Sequence, residues 1–261
     1  MALIPSAGDT SFADITISFE VWILFGVVII MNSSSPMDSA LKCFVFFLIS
    51  QPLVYLIQVP FSDLGWGLFA YYRIWFIWTL LTFPMGFAGY YMKKNKWWGL
   101  LILTPVLLLL AVHYAGFLGK TLYYPPHHLL STIFCFVTLL LYPIEIFENR
   151  KIQITGIVIS SVLIAAASVY SFTNKITYKT TLVVNGGSAG AVFDDSYRAY
   201  LEDDRFGSAR IEYNDAVEDY MVNAELVRGG KTNLILEDSL GNRTVYEVTI
   251  GYDFVEIKQT E

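Results

Sequence analysis

Apolar positions run in long blocks up to about residue 173, then give way to short alternations of apolar and polar residues. Six blocks stand out, at about 15–31, 40–60, 68–92, 97–116, 128–147 and 153–173. A helix needs roughly 20 apolar residues to cross a hydrocarbon core about 30 Å thick. The blocks therefore predict an α-helical polytopic membrane bundle of about six transmembrane helices over 1–173. From about 176 the runs ITYKTTLVV, SARIEY, YMVNAELV, TNLILED, TVYEVTI and FVEIKQT follow one another closely, with turn residues between them. Short alternating runs separated by turns predict strands of a sandwich. In TVYEVTI, Tyr246, Val248 and Ile250 are expected to face a core, and Val245, Glu247 and Thr249 to face out. Residues 195–204 around SYRAYLED are expected to form one or two helical turns, with Tyr197, Tyr200 and Leu201 on one face. The predicted boundary falls at 173/174.

Charge sharpens this division. Residues 1–173 hold 8 Lys+Arg and 7 Asp+Glu, whereas 174–261 hold 9 and 16, so the overall charge of −6 resides in the tail. An acidic exposed domain offers nothing to neutralise phosphates and argues against a nucleic-acid partner. In the short connections, Lys42, Lys93, Lys94, Lys96, Arg150 and Lys151 all fall on one side of a six-helix arrangement. The positive-inside rule makes that side cytoplasmic. The expectation is a plasma-membrane protein with both termini, and the whole tail, extracytoplasmic. The start, MALIPSAGDTSFAD, lacks the basic region of a cleaved signal peptide.

The segment GGKTNLILEDSLGNRTVYEVTI (229–250) resembles the last hairpin of bacterial immunoglobulin-like domains of surface proteins. These often close with a Gly-Lys-Thr-leading strand, an Asp-x-x-Gly-Asn turn and a Val-x-Val strand. The resemblance covers about twenty-two residues closely and 176–260 loosely. It implies a small all-β, Ig-like sandwich domain of a kind used as a spacer or adhesion module, with no catalytic residues to carry over. The segment 185–207 departs from the pattern.

Candidate chemistry concentrates at the predicted outer ends of the helices. Glu20 and Arg73 lie near the outer ends of the first and third blocks, His113 near that of the fourth, and His127 and His128 open the fifth in YYPPHH. Ionisable groups in membrane helices are costly and mark functional sites. A Glu20–Arg73 pair would hold a headgroup or anionic ligand, and the histidines would shuttle protons or bind metal; the plainer alternative is that all five sit at headgroup depth in contact with water. No i, i+4 His pair or carboxylate spacing points to a metal. Glu145 is expected to pair with Arg150 or Lys151. The pairs Asp194–Asp195 and Asp203–Asp204 lack the spacing of a calcium loop, and Asn242-Arg-Thr is a possible glycosylation acceptor. Cys43 and Cys135, both in apolar blocks, make no disulfide framework. Motifs of nucleophilic, metallo- or phosphate-binding enzymes are missing, and no cofactor is called for.

Three readings follow. In the first, the helices present the tail domain for binding or assembly at the cell envelope, with the lipid bilayer and an envelope protein as partners. In the second, the chain is a transporter or channel component with an outer cap. In the third, it is a membrane enzyme acting on lipid or cell-wall precursors at the outer face.

Overall fold

The computed structural model describes residues 10, 11, 14, 19–62, 64–182, 194, 196–215, 218–251 and 254–259. Two compact units emerge: Met1–Phe117 with Leu130–Tyr170, and Leu118–Leu129 with Ser171–Glu261.

The first unit is helical, with α1 (Phe19–Met31), α2 (Pro36–Gln58), α3 (Tyr72–Gly89), α4 (Trp97–Tyr123, whose last turns belong to the second unit), α5 (Leu129–Ile146) and α6 (Arg150–Thr173). Among the described residues, four helical stretches are long and apolar enough to cross a membrane: Pro36–Phe61, Trp97–Tyr123, Leu129–Ile146 and Arg150–Thr173. Helix α1 is apolar but has only 13 residues, about 20 Å at 1.5 Å per residue. The first four residues of the predicted first block lie outside the described residues. The third block contains 18 α-helical residues flanked by 3₁₀ turns at Gly65–Tyr71 and Tyr90–Lys94, with Arg73, Thr79 and Thr82 in the helix. It falls outside the four.

Local chemistry sets the helix ends. Ser35 accepts the amide of Asp38 at 3.1 Å, Pro36 opens α2, and Asp38 in turn accepts the Ser34 amide at 2.8 Å. This satisfies first-turn donors that would otherwise lack partners. Close packing of α2 on α3 depends on Gly86. A Cβ there would lie 2.9 Å from the Ser39 carbonyl oxygen, and the Ser39 hydroxyl donates to the Gly86 carbonyl at 2.8 Å. Small residues with a hydroxyl bridge are the usual means of joining helices where no hydrophobic force drives them together.

The three basic connections meet at one end of this unit. Lys93 donates to the carbonyls of Met31 and Ser33, and Tyr90 donates to that of Ser34 at 2.9 Å. Asn95, in a left-handed conformation, donates to Glu148 at 3.0 Å and accepts the Glu148 amide at 2.7 Å. Glu145 is exposed and makes no ion pair with Arg150 or Lys151 among the described residues. It lies one residue before the end of α5, on an exposed position.

The second unit is all-β apart from its helical edge. Its strands are β1 (Tyr178–Leu182), β2 (Arg198–Leu201), β3 (Gly207–Asn214), β4 (Asp219–Leu226), β5 (Gly230–Glu237), β6 (Arg243–Ile250) and β7 (Val255–Gln259). They form two antiparallel sheets, ordered β1-β4-β3 and β2-β5-β6-β7. An immunoglobulin constant-type domain orders its strands A-B-E-D and C-F-G; here the first described strand lies beside the fourth. Inward residues of both sheets form one apolar cluster, including Leu182, Val222, Leu226, Leu234, Val248 and Ile250. Tyr246, Val248 and Ile250 face inward, and their neighbours on β6 do not. The β5–β6 hairpin closes as its residues dictate: Asp238 accepts the amides of Leu240 and Asn242 at 2.9 and 2.8 Å, and Gly241 takes φ +83°.

The helical turns expected over 195–204 are replaced by a strand. Residues 198–201 pair with β5, burying Ala199 and Leu201, and only Asp204–Phe206 forms a 3₁₀ turn. The exposed backbone edge of β5 outweighs the local helical pattern, a familiar override of propensity by sheet pairing.

The β unit also takes in the end of α4 and the turn that follows. Tyr123 is buried within the apolar cluster, and its carbonyl accepts the Gly229 amide at 2.7 Å. A Cβ on Gly229 would lie 2.6 Å from the Tyr124 ring, so only glycine permits this approach.

Candidate functional site

Glu20 is the second residue of α1, and its side chain is only 2% exposed. A carboxylate so placed is costly unless it is paired or neutralised. His113 of α4 supplies the partner, with Nδ1 2.9 Å from Glu20 Oε2. The approach is that of an ion pair, but Oε2 has no aligned hydrogen-bond donor. Distance and alignment thus disagree. The distance is the firmer guide to electrostatics, which depend weakly on angle, whereas hydrogen bonds weaken steeply with it.

Aromatic rings enclose the pair. Phe19 packs on Trp75 and Trp78 of α3 at 5.6 and 5.5 Å, and lies edge-on to His113 at 6.5 Å. Phe117 covers the other flank of His113 at 6.2 Å. Glu20 itself is nearly closed off, whereas the His113 side chain keeps 23% of its surface exposed.

A second carboxylate enters from the segment before α1. Ser131, in the first turn of α5, donates to Asp14 Oδ2 at 2.6 Å, and its amide donates to the Ser11 hydroxyl at 3.2 Å. A remote segment therefore caps this helix start, and an acid there suits the helix dipole. Cys135 lies one turn further along the same buried face of α5 as Ser131.

The remaining expected residues lie elsewhere. Arg73 is exposed at the start of α3 and makes no ion pair among the described residues, so the expected Glu20–Arg73 pair is not formed; His113 occupies the position beside Glu20. His127 and His128 belong to the β unit. His127 stacks on Tyr124 at 3.9 Å and donates its amide to the Tyr124 carbonyl at 3.1 Å, while His128 is buried. Among the described residues no three His, Cys, Asp or Glu side chains are grouped to hold a metal.

Two grooves lie apart from this cluster. On the β unit, Glu202, Asp203, Lys231, Thr232, Asn233 and Glu247 line a polar groove of about 410 Å³. Its acids are already engaged: Glu202 by Asn233 at 2.7 Å, Glu247 by Lys231 at 2.9 Å and Asp203 by Arg205 at 2.6 Å. The hydrogen bonds from Arg205 and Lys231 hold the carboxyls of Asp203 and Glu247 below their ordinary range. Asp194 is bound by Ser196, and Asp195 lies outside the described residues. In the helical unit, an apolar groove of about 620 Å³ runs between α1 and α2, past Val28, Val45 and Phe46 to Asn32 and Lys42.

Asp14 and Ser131 were not among the residues expected from sequence. A lone acid just ahead of an apolar block was the available signal. Its link to a serine 117 positions away was not visible in any spacing. Comparison with protein-family models, curated proteins and solved structures returns no match to this chain.

Proposed function

We propose that this is a multi-pass membrane protein of the cell envelope whose helices present the β domain, outside the cytoplasm, for binding or assembly. Its role on this reading is non-catalytic. The observation that carries it is the construction of the β unit, which incorporates Leu118–Leu129 as well as the chain after α6. A domain on a flexible tether would need only one connection. Here Tyr123 is part of the β core and Gly229 is fitted to Tyr124, so the end of α4 and the turn after it are part of the presented domain. The meeting of all three basic connections at one end of the helical unit supports a cytoplasmic location for that end.

Lysine crosslinking in intact cells tests the proposal. Crosslinks from Lys179 or Lys231, both exposed on the β unit, to one protein in stoichiometric amount are the expected result. Crosslinks confined to Lys93 and Lys96, or recovery of the protein alone at every crosslinker concentration, contradict it.

A further inference from the structure

The groove between α1 and α2 is concave and has one polar end. Val28 on α1 and Leu41, Val45 and Phe46 on α2 line its apolar part, and Val28, Leu41 and Val45 are half-exposed. Asn32 and Lys42 complete the lining on the side of the connection between the helices. Asn32 follows Val28 by four residues and Lys42 precedes Phe46 by four. Val28 and Phe46 therefore lie about 6 Å further along the helices than the polar pair, at 1.5 Å per residue. Beyond Phe46 the apolar surface continues to Phe25, whose ring centre is 5.7 Å from that of Phe46.

The polar end is positively charged. Lys42 Nζ donates to Asp38 Oδ2 at 2.7 Å, yet its side chain stays 51% exposed, and an ammonium has two further donors to offer. Asp38 is also held by the Ser34 amide and hydroxyl at 2.8 and 3.1 Å. Lys93 brackets Asn32 by donating to the carbonyls of its neighbours Met31 and Ser33. Two lysines against one aspartate leave a net positive charge at this end. Asn32 commits Nδ2 to the Val28 carbonyl at 2.8 Å, and its Oδ1 can accept from a hydroxyl.

We propose that the α1–α2 groove binds one anionic phospholipid of the cytoplasmic leaflet, its acyl chain along Val28, Val45 and Phe46 and its phosphate on Lys42. The inference rests on the membrane reading above but not on the role of the β domain. Shape and charge both favour this occupant over a helix. A helix from a second copy or another protein packs through small residues, as Gly86 and Ser39 allow between α2 and α3. The groove offers no Gly, Ala, Ser or Thr in its lining. A flexible acyl chain needs no such close approach, and it brings negative charge to the end where Lys42 and Lys93 stand. Basic pockets between membrane helices on the cytoplasmic side suit anionic headgroups for the same reason.

The test uses the full-length protein in vesicles of equal parts dioleoyl-phosphatidylglycerol and dioleoyl-phosphatidylcholine. Flotation with the vesicles checks the membrane reading separately, and a protein that fails to float refutes that reading and this site with it. Floated protein is released into mild detergent, and its retained lipid is read by native mass spectrometry. The expected result is one retained phosphatidylglycerol per chain, in about fivefold excess over phosphatidylcholine, the effect of one lysine at an anionic membrane surface. Lys42→Gln, which keeps a donor for Asp38, brings the two lipids to equal retention. Val45→Trp, at a half-exposed position, fills the groove and removes the retained lipid. Lys96→Gln, exposed on a different basic turn, changes neither. Equal retention of the two lipids by the wild type, no retained lipid, a preference that survives in folded Lys42→Gln, or a lipid that survives in Val45→Trp overturns the proposal. So does loss of the preference in Lys96→Gln, which assigns it to the basic end as a whole. A lipid-free dimer overturns it too and gives the groove to a second copy. Crosslinking of the β domain to a partner is unaffected by these outcomes.

Discussion

In the β unit, Leu234, Val248 and Ile250 are buried while Lys231 and Glu256 on the same sheet face out. In the helical unit, Ile77, Val112 and Val162 face out while Glu20, Ser39 and Ser160 are buried. Both units bury leucines, Leu107 and Leu139 in the helices among them, but they expose opposite chemistries. The β unit follows the rule for a domain surrounded by water, where apolar area is removed from solvent. The helical unit turns apolar area outward and keeps its polar atoms for contacts between helices, which is the pattern suited to a lipid solvent. Cohesion differs accordingly. Interlocked leucine and valine side chains hold the sheets together, whereas backbone approach at Gly86 and hydroxyl bridges such as Tyr114–Ser168 at 3.1 Å join the helices.

The comparison is broken most forcefully in the β core. Leu234→Ala removes a fully buried side chain and is expected to cost about 2–5 kcal/mol. In a unit this small that is enough to expose 174–261 to protease while the helices stay protected. The matching change in the helices reverses the logic, because it targets an exposed residue. Val162→Asp, at the centre of α6 and 61% exposed, is expected to cost about 3 kcal/mol in membrane insertion. An insertion assay comparing it with Lys179→Asp, exposed on the β unit, should show a penalty for the first and none for the second.

Next in size is Gly86→Leu, which forces a side chain into a gap where even a Cβ lies 2.9 Å from a carbonyl. About 1–3 kcal/mol of destabilisation is expected, read as a lower melting temperature in detergent with the β unit's hydrogen exchange unchanged. The smallest effect concerns pH. The Asn242 side chain and the surrounding amides hold the Asp238 carboxyl below its ordinary value. Its folded-state pKa is therefore depressed. Its contribution is complete above about pH 4 and is lost as pH falls through the lowered value. Hydrogen exchange over 230–250, corrected for intrinsic rates, should loosen on acidification in the wild type and less so in Asp238→Asn.

Residue pattern carried much of this architecture. Long apolar blocks exposed five helices and most of a sixth, and strict alternation in TVYEVTI identified its inward residues. Where neighbours in space decide, sequence was silent. The stretch 198–201 became a strand because β5 needed a partner, a fact recorded in Leu234 and Leu236 rather than in SYRAYLED. The end of α4 joined the β unit because Gly229, over a hundred residues later, makes room for Tyr124. At the candidate site, Glu20 and His113 were legible as costly ions in apolar blocks. Their pairing was not, since Arg73 looked the better partner by charge and only helix packing chose the imidazole.

Sidedness is the claim on which most depends. Single cysteines at Leu240, 85% exposed on the β5–β6 turn, and at Lys96, exposed on a basic turn, provide the probes. The native Cys43 and Cys135 are buried and stay in place. Intact cells are treated with a membrane-impermeant maleimide before and after permeabilisation. The account predicts that Leu240→Cys is labelled in intact cells and Lys96→Cys only after permeabilisation. Labelling of Lys96→Cys in intact cells, with Leu240→Cys protected until the membrane is opened, would contradict it.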